Sequence, residues 1–255
     1  MPLIKGEGVV LRTGNLGECD RLVVVLTEGM GKVRAVAKGA RKVQSRYASL
    51  TQPFSHIRFT AYAGSTLPTF SQAEAIEGFR SLREDLDNLA YGIYILDLVD
   101  TALVDRQPHD DILSLLIASL HILSHTAHRE LLLAWFELRL LARLGVAMSL
   151  GSCPRCGGAP GAHLDIDTPG FLCQKCCQRE GSRTQIAVSS AARSLLSTLR
   201  GGDWRVVEAI ATPVAGQAEV AAVLDRVMFA QLEQRPESYG FLSAIRTAAQ
   251  GKCPP

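Results

Sequence analysis

The segment Arg21-Leu22-Val23-Val24-Val25-Leu26-Thr27-Glu28-Gly29-Met30-Gly31-Lys32-Val33-Arg34-Ala35-Val36-Ala37-Lys38 decides the fold of the amino-terminal third. Side chains of a strand alternate between two faces. Leu22, Val24 and Leu26 therefore share one face of a first strand, and Val33, Ala35 and Ala37 share one face of a second. Glu28-Gly29-Met30-Gly31 between them has the composition of a hairpin turn. Upstream, Gly8–Thr13 is apolar and is expected to end in a Gly14-Asn15 turn. Downstream, Phe54–Ala63 and Thr69–Ala75 read as strands separated by Gly64 and Pro68. Five short strands with no comparable helix among them predict a small closed barrel, which leaves no strand edge open. An OB-like barrel is the preferred expectation and an SH3-like barrel the alternative.

The other face of the second strand carries Lys32, Arg34 and Lys38 with Val36, and the loop that follows adds Arg41, Lys42 and Arg46. No acidic residue interrupts this window. Residues 1–80 hold 11 Lys+Arg against 6 Asp+Glu, whereas residues 81–255 hold 16 against 19, so the net charge of +2 hides a basic first third. Six clustered cations suit a phosphate backbone, and all six are candidate DNA-binding residues. The plainer alternative is a solvated basic face without a ligand. Tyr47, Phe54, Phe59, Tyr62 and Phe70 lie in or beside this region, and one or two of them could stack on bases.

From Ser81 the apolar period changes to 3.6. Leu86, Leu89, Ile93, Leu96, Val99 and Leu103 form a stripe on a helix expected over 84–105, which Pro108 ends. Asp110–Ser124 and Arg129–Val146 are two further helices, Ser189–Leu199 is another, and Glu208, Leu224, Val227 and Leu232 fall in later ones. The chain is thus expected to be α+β. A barrel domain occupies 1–80, a helical domain 81–150 and 181–255, and a cysteine module 151–180. The tail after Gly251 is expected to be loose.

Cys153-Pro154-Arg155-Cys156 and Cys173-Gln174-Lys175-Cys176 are two CxxC turns separated by sixteen residues. Each turn aims two thiolates at one point, and two such turns make a tetrahedral site with the spacing of structural zinc. Gly157, Gly158 and Gly170 suit tight turns around it, and Arg155, Lys175 and Arg179 could offset its formal charge. Cys177 could replace Cys176, and His163 could replace a cysteine; iron is the other metal this donor set accepts. Four sulfur ligands leave no open position for water, so the site is structural rather than catalytic.

Other chemistry is poorly supported. A redox CxxC does not account for the second cysteine pair, and a zinc deaminase requires a Pro-Cys where Ser152-Cys153 stands. There is no G-x-x-x-x-G-K-[ST], no G-x-G-x-x-G at a strand–helix junction and no G-x-S-x-G, so no enzyme is expected. Asp110 and Asp111 read as a helix N-terminus, His121 and His125 as a helix-end pair, and His128 as a helix-terminal residue. The longest apolar run is six residues, Leu131–Phe136, too short for a bilayer, and the first residues lack the apolar core of a signal peptide. Seven cysteines, an odd number partly in CxxC pairs, point to a reducing cytosol.

Gly8-Val9-Val10-Leu11-Arg12, Leu16-Gly17-Glu18-Cys19-Asp20-Arg21-Leu22, Gly31-Lys32-Val33-Arg34-Ala35-Val36-Ala37-Lys38-Gly39-Ala40-Arg41 and Ser45-Arg46 together resemble the RecO family of bacterial recombination mediators. Gln72-Ala73-Glu74, the Leu96–Asp100 segment and the cysteine pairs are similar in position. The resemblance covers the first 180 residues well and the last 75 weakly, and Cys19 departs from it. It implies an OB-fold followed by a helical domain interrupted by a zinc module. It also implies binding of single- and double-stranded DNA, annealing of complementary strands, and assistance to RecA loading in the RecF pathway. RecR and the single-stranded-DNA-binding protein are the implied partners, in the cytoplasm at the nucleoid, with the chain itself expected to be a monomer. Lys38, Arg41 and Arg46 are expected to carry much of the salt dependence of DNA binding. The competing reading is a zinc-ribbon protein–protein adaptor without annealing activity.

Overall fold

The computed structural model describes residues 2–64, 67–180, 184–210, 214–232 and 234–251. Its contacts gather into two compact units, residues 1–125 with 236–255, and residues 126–235. The tail after Gly251, expected to be loose, lies outside the described residues. Among the described residues no helix is long and apolar enough to cross a membrane.

In the first unit, β1 (Leu3–Leu16), β2 (Asp20–Thr27), β3 (Gly31–Ala37), β4 (His56–Tyr62) and β5 (Thr69–Glu77) close into a barrel in the order β1-β2-β3-β5-β4, with the four-residue helix α1 (Tyr47–Leu50) between β3 and β4. This is the OB-type arrangement, and it resolves the choice against an SH3-like barrel. All neighbours are antiparallel except β3 and β5, which meet in parallel at Val36↔Thr69. The core is Val10, Val23, Val25, Ala35, Ala37, Ile57, Phe59, Ala61 and Phe70 with their neighbours, so the hairpin's odd-numbered positions face inward as the alternation requires.

The first strand differs from expectation. It runs through Gly14 to Leu16 because it pairs with β4 along its first half and with β2 along its second, bending at an irregularity between Val10 and Arg12. The reversal comes three residues later, at Gly17, whose φ of +61° suits glycine.

The barrel's second layer is helical. Helices α2 (Ser81–Glu84), α3 (Leu86–Ala102) and α4 (Asp110–Leu123) follow β5, and α3 and α4 pack on β1, with α4 also on β2. Val9, Leu11, Val24 and Leu26 point away from the barrel core yet are buried, because these helices cover them. The stripe assigned to α3 is only part of its buried surface: Leu96, Val99 and Leu103 on the stripe are buried and Leu86 is 60% exposed, while Ala90, Tyr91, Tyr94, Ile95 and Leu98 off the stripe are buried as well. The helix is enclosed almost all round, so no single stripe governs it. Gly92 allows this enclosure, since a Cβ there would lie 2.7 Å from the Phe54 ring.

The second unit opens with α5 (Arg129–Arg143). A cysteine module follows, comprising β6 (His163–Asp165), β7 (Gly170–Leu172), α6 (Gln174–Glu180) and β8 (Gln185–Ala187), with β7-β6-β8 as a small sheet. Helices α7 (Ser190–Gly201), α8 (Trp204–Glu208) and α9 (Gln217–Gln231) complete the unit and pack on α5. Ser189 caps α7 by accepting the Ala192 N–H, a favoured use of serine. The last helix, α10 (Tyr239–Gly251), returns to the first unit, where Asp97 of α3 accepts from the Ser238 hydroxyl at 2.7 Å.

Candidate nucleic-acid interface and metal centre

The six cations divide into two sets. Lys32 is buried on the outer side of β3, with Nζ 2.9 Å from Asp100 and 3.6 Å from Asp105. Arg34 pairs with Asp105 at 2.7 Å, and Arg12 joins Asp100 at 2.6 Å. The end of α3 and the segment after it therefore engage Lys32 and Arg34, two of the three cations that the alternation had placed in one row, and leave Lys38 outside the contact. Strand periodicity identifies that surface correctly but is silent about a helix arriving from some 70 residues away.

Lys38, Arg41, Lys42 and Arg46 are exposed. Among the described residues none of the four forms an ion pair. Two ties hold their loop against the β1–β2 turn: the Gly39 N–H donates to Asp20 Oδ1 at 2.7 Å, and the Arg41 N–H donates to the Cys19 carbonyl at 2.9 Å. The Arg41 guanidinium reaches the Gly17 carbonyl at 2.9 Å. Gly39, at φ +66°, makes the bend. Arg46 lies over the Tyr47 ring at 4.9 Å and donates to the Ser71 carbonyl of β5 at 2.9 Å. Part of its role is thus to anchor the loop. Of the five aromatic residues, Tyr47, Phe54, Phe59 and Phe70 are buried, and Tyr62 is 47% exposed.

In the second unit, the sulfurs of Cys153, Cys156, Cys173 and Cys176 lie within 4.8 Å of one another. Four sulfurs about 2.3 Å from one ion stand about 3.8 Å apart in a tetrahedron. The Cys156–Cys173 separation of 3.6 Å is close to that edge. Local backbone shapes both turns: the Gly157 N–H donates to the Cys153 carbonyl at 2.9 Å with Gly157 at φ +72°, and the Cys176 N–H donates to Cys173 Sγ at 3.4 Å. Burial opposes ionisation of Cys153, yet the N–H groups of Cys173, Arg155 and Cys156 outweigh it and hold its pKa down to about 6. The Cys176 N–H likewise lowers Cys173, while hydrogen bonding to Cys173 and Cys156 pushes Cys176 up to about 12. The donor set and spacing fit a metal ion, for which these four residues would be the ligands.

Cys177 and His163 are outside the group: Cys177 Sγ donates to Gln185 Oε1 at 3.2 Å, and His163 is an exposed residue of β6. Of the cations expected to balance the thiolates, Arg155 is committed to the fully buried Asp165 at 2.6 Å. Lys175 and Arg179 line a groove beside Cys156 and Cys176.

The remaining sequence features have local roles. Asp110 and Asp111 begin α4, and Asp110 Oδ1 accepts the Gly29 N–H of the hairpin turn at 2.7 Å. His121 packs edge-on against Phe79, and His125 Nδ1 lies 2.9 Å from the His121 carbonyl, so the pair does not converge on a metal. His128 is the N-cap residue of α5.

These features define a class of protein in which an OB-type barrel with a cationic loop precedes a helical domain carrying a four-cysteine module. Residues 1–79 match the family model described as Recombination protein O N terminal, and residues 83–239 that described as Recombination protein O C terminal. The chain belongs to the recombination protein O family, a family of DNA repair proteins. It is 37% identical over 255 residues to the DNA repair protein RecO of Symbiobacterium thermophilum, an alignment covering 97% of this chain and all of the relative. The DNA repair protein RecO of Bacillus pumilus is 33% identical over 88% of this chain and 87% of its own. That of Acetivibrio thermocellus is 30% identical over 99% of this chain and all of its own.

Proposed function

We propose that the chain is a DNA-binding recombination mediator that anneals complementary single strands and assists RecA loading in the RecF pathway. In this reading it binds single- and double-stranded DNA through residues 1–80 and works with RecR and the single-stranded-DNA-binding protein. It acts in the cytoplasm at the nucleoid, as a monomer when alone, and catalyses no covalent step. Residues 151–180 hold a structural zinc ion on Cys153, Cys156, Cys173 and Cys176, and residues 81–150 and 181–255 supply the helical support.

The observation that carries this reading is the exposed loop with Lys38, Arg41, Lys42 and Arg46, four cations without carboxylate partners among the described residues. Annealing needs cations that relieve repulsion between two polyanions and a binding mode that leaves base edges free. Contacts to phosphate meet both requirements and carry no sequence preference. Lys32 and Arg34 stand apart from the set because aspartates already neutralise them.

The test is the annealing rate of two labelled complementary oligonucleotides as a function of ionic strength. The protein should accelerate annealing at low salt and lose the effect as salt rises. Absence of acceleration at every salt concentration would overturn the reading and leave the zinc-ribbon adaptor in its place.

A further inference from the structure

We propose that the outward face of β1, β4 and β5 is the platform on which single-stranded DNA lies, with Tyr62 stacking on one base and Lys5 and Arg46 neutralising adjacent phosphates. This rests on the reading above of the chain as a DNA-binding protein, and it names the surface.

An OB-type barrel commonly takes its ligand on the face of strands 2 and 3 and on the flanking loops. Here that face is occupied by the protein itself. Leu26 is fully buried on it, Lys32 is turned into the aspartates, and the segment after α3 lies directly against the hairpin. A Cβ on Gly31 would lie 1.9 Å from the Gln107 carbonyl oxygen. No nucleotide enters where a methyl group does not.

The barrel is open to solvent where β1, β4 and β5 meet. Register pairs Leu3 with Tyr62, Lys5 with Thr60 and Glu7 with Arg58. On the other side of β4 it pairs Tyr62 with Thr69, Thr60 with Gln72 and Arg58 with Glu74. Residues directly opposite one another project from the same face. The face thus consists of an apolar and aromatic row, a row of Lys5 with two hydrogen-bonding side chains, and a row in which two carboxylates flank Arg58. Leu3 and Tyr62 are 56% and 47% exposed. A groove of about 490 Å³ crosses the middle, lined by Lys5, Arg46, Arg58, Thr60, Gln72 and Glu74 among others.

Charge selects the occupant. Glu7 at 2.9 Å and Glu74 at 3.1 Å outnumber Arg58 and leave that row one negative charge. Lys5 and Arg46 form no ion pair among the described residues, and their two charges exceed it, so the face is net positive. An aromatic ring stacks on any base, and cations on phosphate leave the Watson–Crick edges outward. That is the presentation a strand needs in order to pair with another. A peptide fits less well, because the face has an excess of cations and pairs its strands β1, β4 and β5 along their length.

The test is fluorescence anisotropy of labelled oligo(dT) with the full-length protein and with Tyr62→Ala, Tyr62→Phe and Lys5→Ala, each checked for an unchanged unfolding midpoint. Tyr62→Ala should weaken binding about tenfold with the salt slope unchanged, and Tyr62→Phe should restore it. Lys5→Ala should reduce the slope of log K against log salt by about 0.7. Should both alanine variants bind as the parent does while a Lys38→Ala/Arg41→Ala/Lys42→Ala protein does not, the platform is wrong and the DNA-binding reading survives. Failure of the parent protein to bind oligo(dT) at any salt would remove both.

Discussion

Lys32 Nζ sits 2.9 Å from Asp100 Oδ1 and donates to the Asp100 backbone carbonyl at 2.6 Å, with its side chain 7% exposed. One lysine on the barrel thereby pairs with the carboxylate and donates to the backbone carbonyl of a residue near the end of a helix. Cutting it back leaves buried acceptors without their donor, which is costlier than losing a surface pair.

Lys32→Ala is therefore expected to lower stability by about 2–3 kcal/mol, less than a fully orphaned pair because Arg12 still reaches Asp100 at 2.6 Å. Urea unfolding measures this. Oligonucleotide affinity of the folded variant should match that of the parent, since Lys32 is not available to phosphate.

The loop variant Lys38→Ala/Arg41→Ala/Lys42→Ala should behave in the opposite way. Stability should change little, because the loop's backbone ties through Gly39 and Arg41 persist. The slope of log K against log salt for a single strand should become shallower by about 2, at about 0.7 per lost phosphate contact. Arg46 is kept in this variant because it anchors the loop to Ser71. A titration of affinity against potassium chloride reads the difference.

At the four-cysteine cluster, if it holds the proposed zinc, Cys153→Ser should abolish stoichiometric metal and lower the unfolding midpoint, with DNA affinity affected only through folding. Cys177→Ser should keep the metal, because Cys177 faces Gln185 instead of the cluster. Metal analysis by atomic emission, paired with thermal unfolding, separates the two substitutions; zinc loss from both would contradict the ligand assignment.

His56 gives the barrel an acid limit. Burial lowers its pKa below the ordinary 6.5, against the opposing pull of Glu7 at 3.2 Å. A base with a depressed pKa binds fewer protons folded than unfolded, so its contribution is complete above pH 6.5 and is lost as pH falls through the folded value. The unfolding midpoint should drop between pH 7 and pH 5, and His56→Gln should flatten the drop. Calorimetry across that range checks it.

Local periodicity and local spacing carry most of what the sequence discloses. The β2–β3 hairpin is legible because alternation over Leu22–Leu26 and Val33–Ala37 needs no distant information. The cysteine site is legible because each CxxC turn fixes two donors by itself. What depends on remote partners is not legible. The burial of Lys32 is decided at Asp100, the continuation of β1 past Gly14 by its pairing with β2, and the choice of Cys176 over Cys177 by the Gln185 contact. The stripe on α3 captured only part of the burial for a related reason: neighbours surround that helix, and a ring from Phe54 occupies the space beside Gly92.

The barrel closes at its slenderest point where β3 meets β5, through Val36↔Thr69 and the Val36 N–H to the Pro68 carbonyl at 2.8 Å. The loop that leaves β3 comes back to β5 through Arg46 and Ser71, straddling this seam. Whatever immobilises the loop also holds the seam shut. A bound polyanion would thus slow amide hydrogen exchange at Val36 well beyond its own footprint, coupling occupancy at the rim to breathing of the whole cylinder.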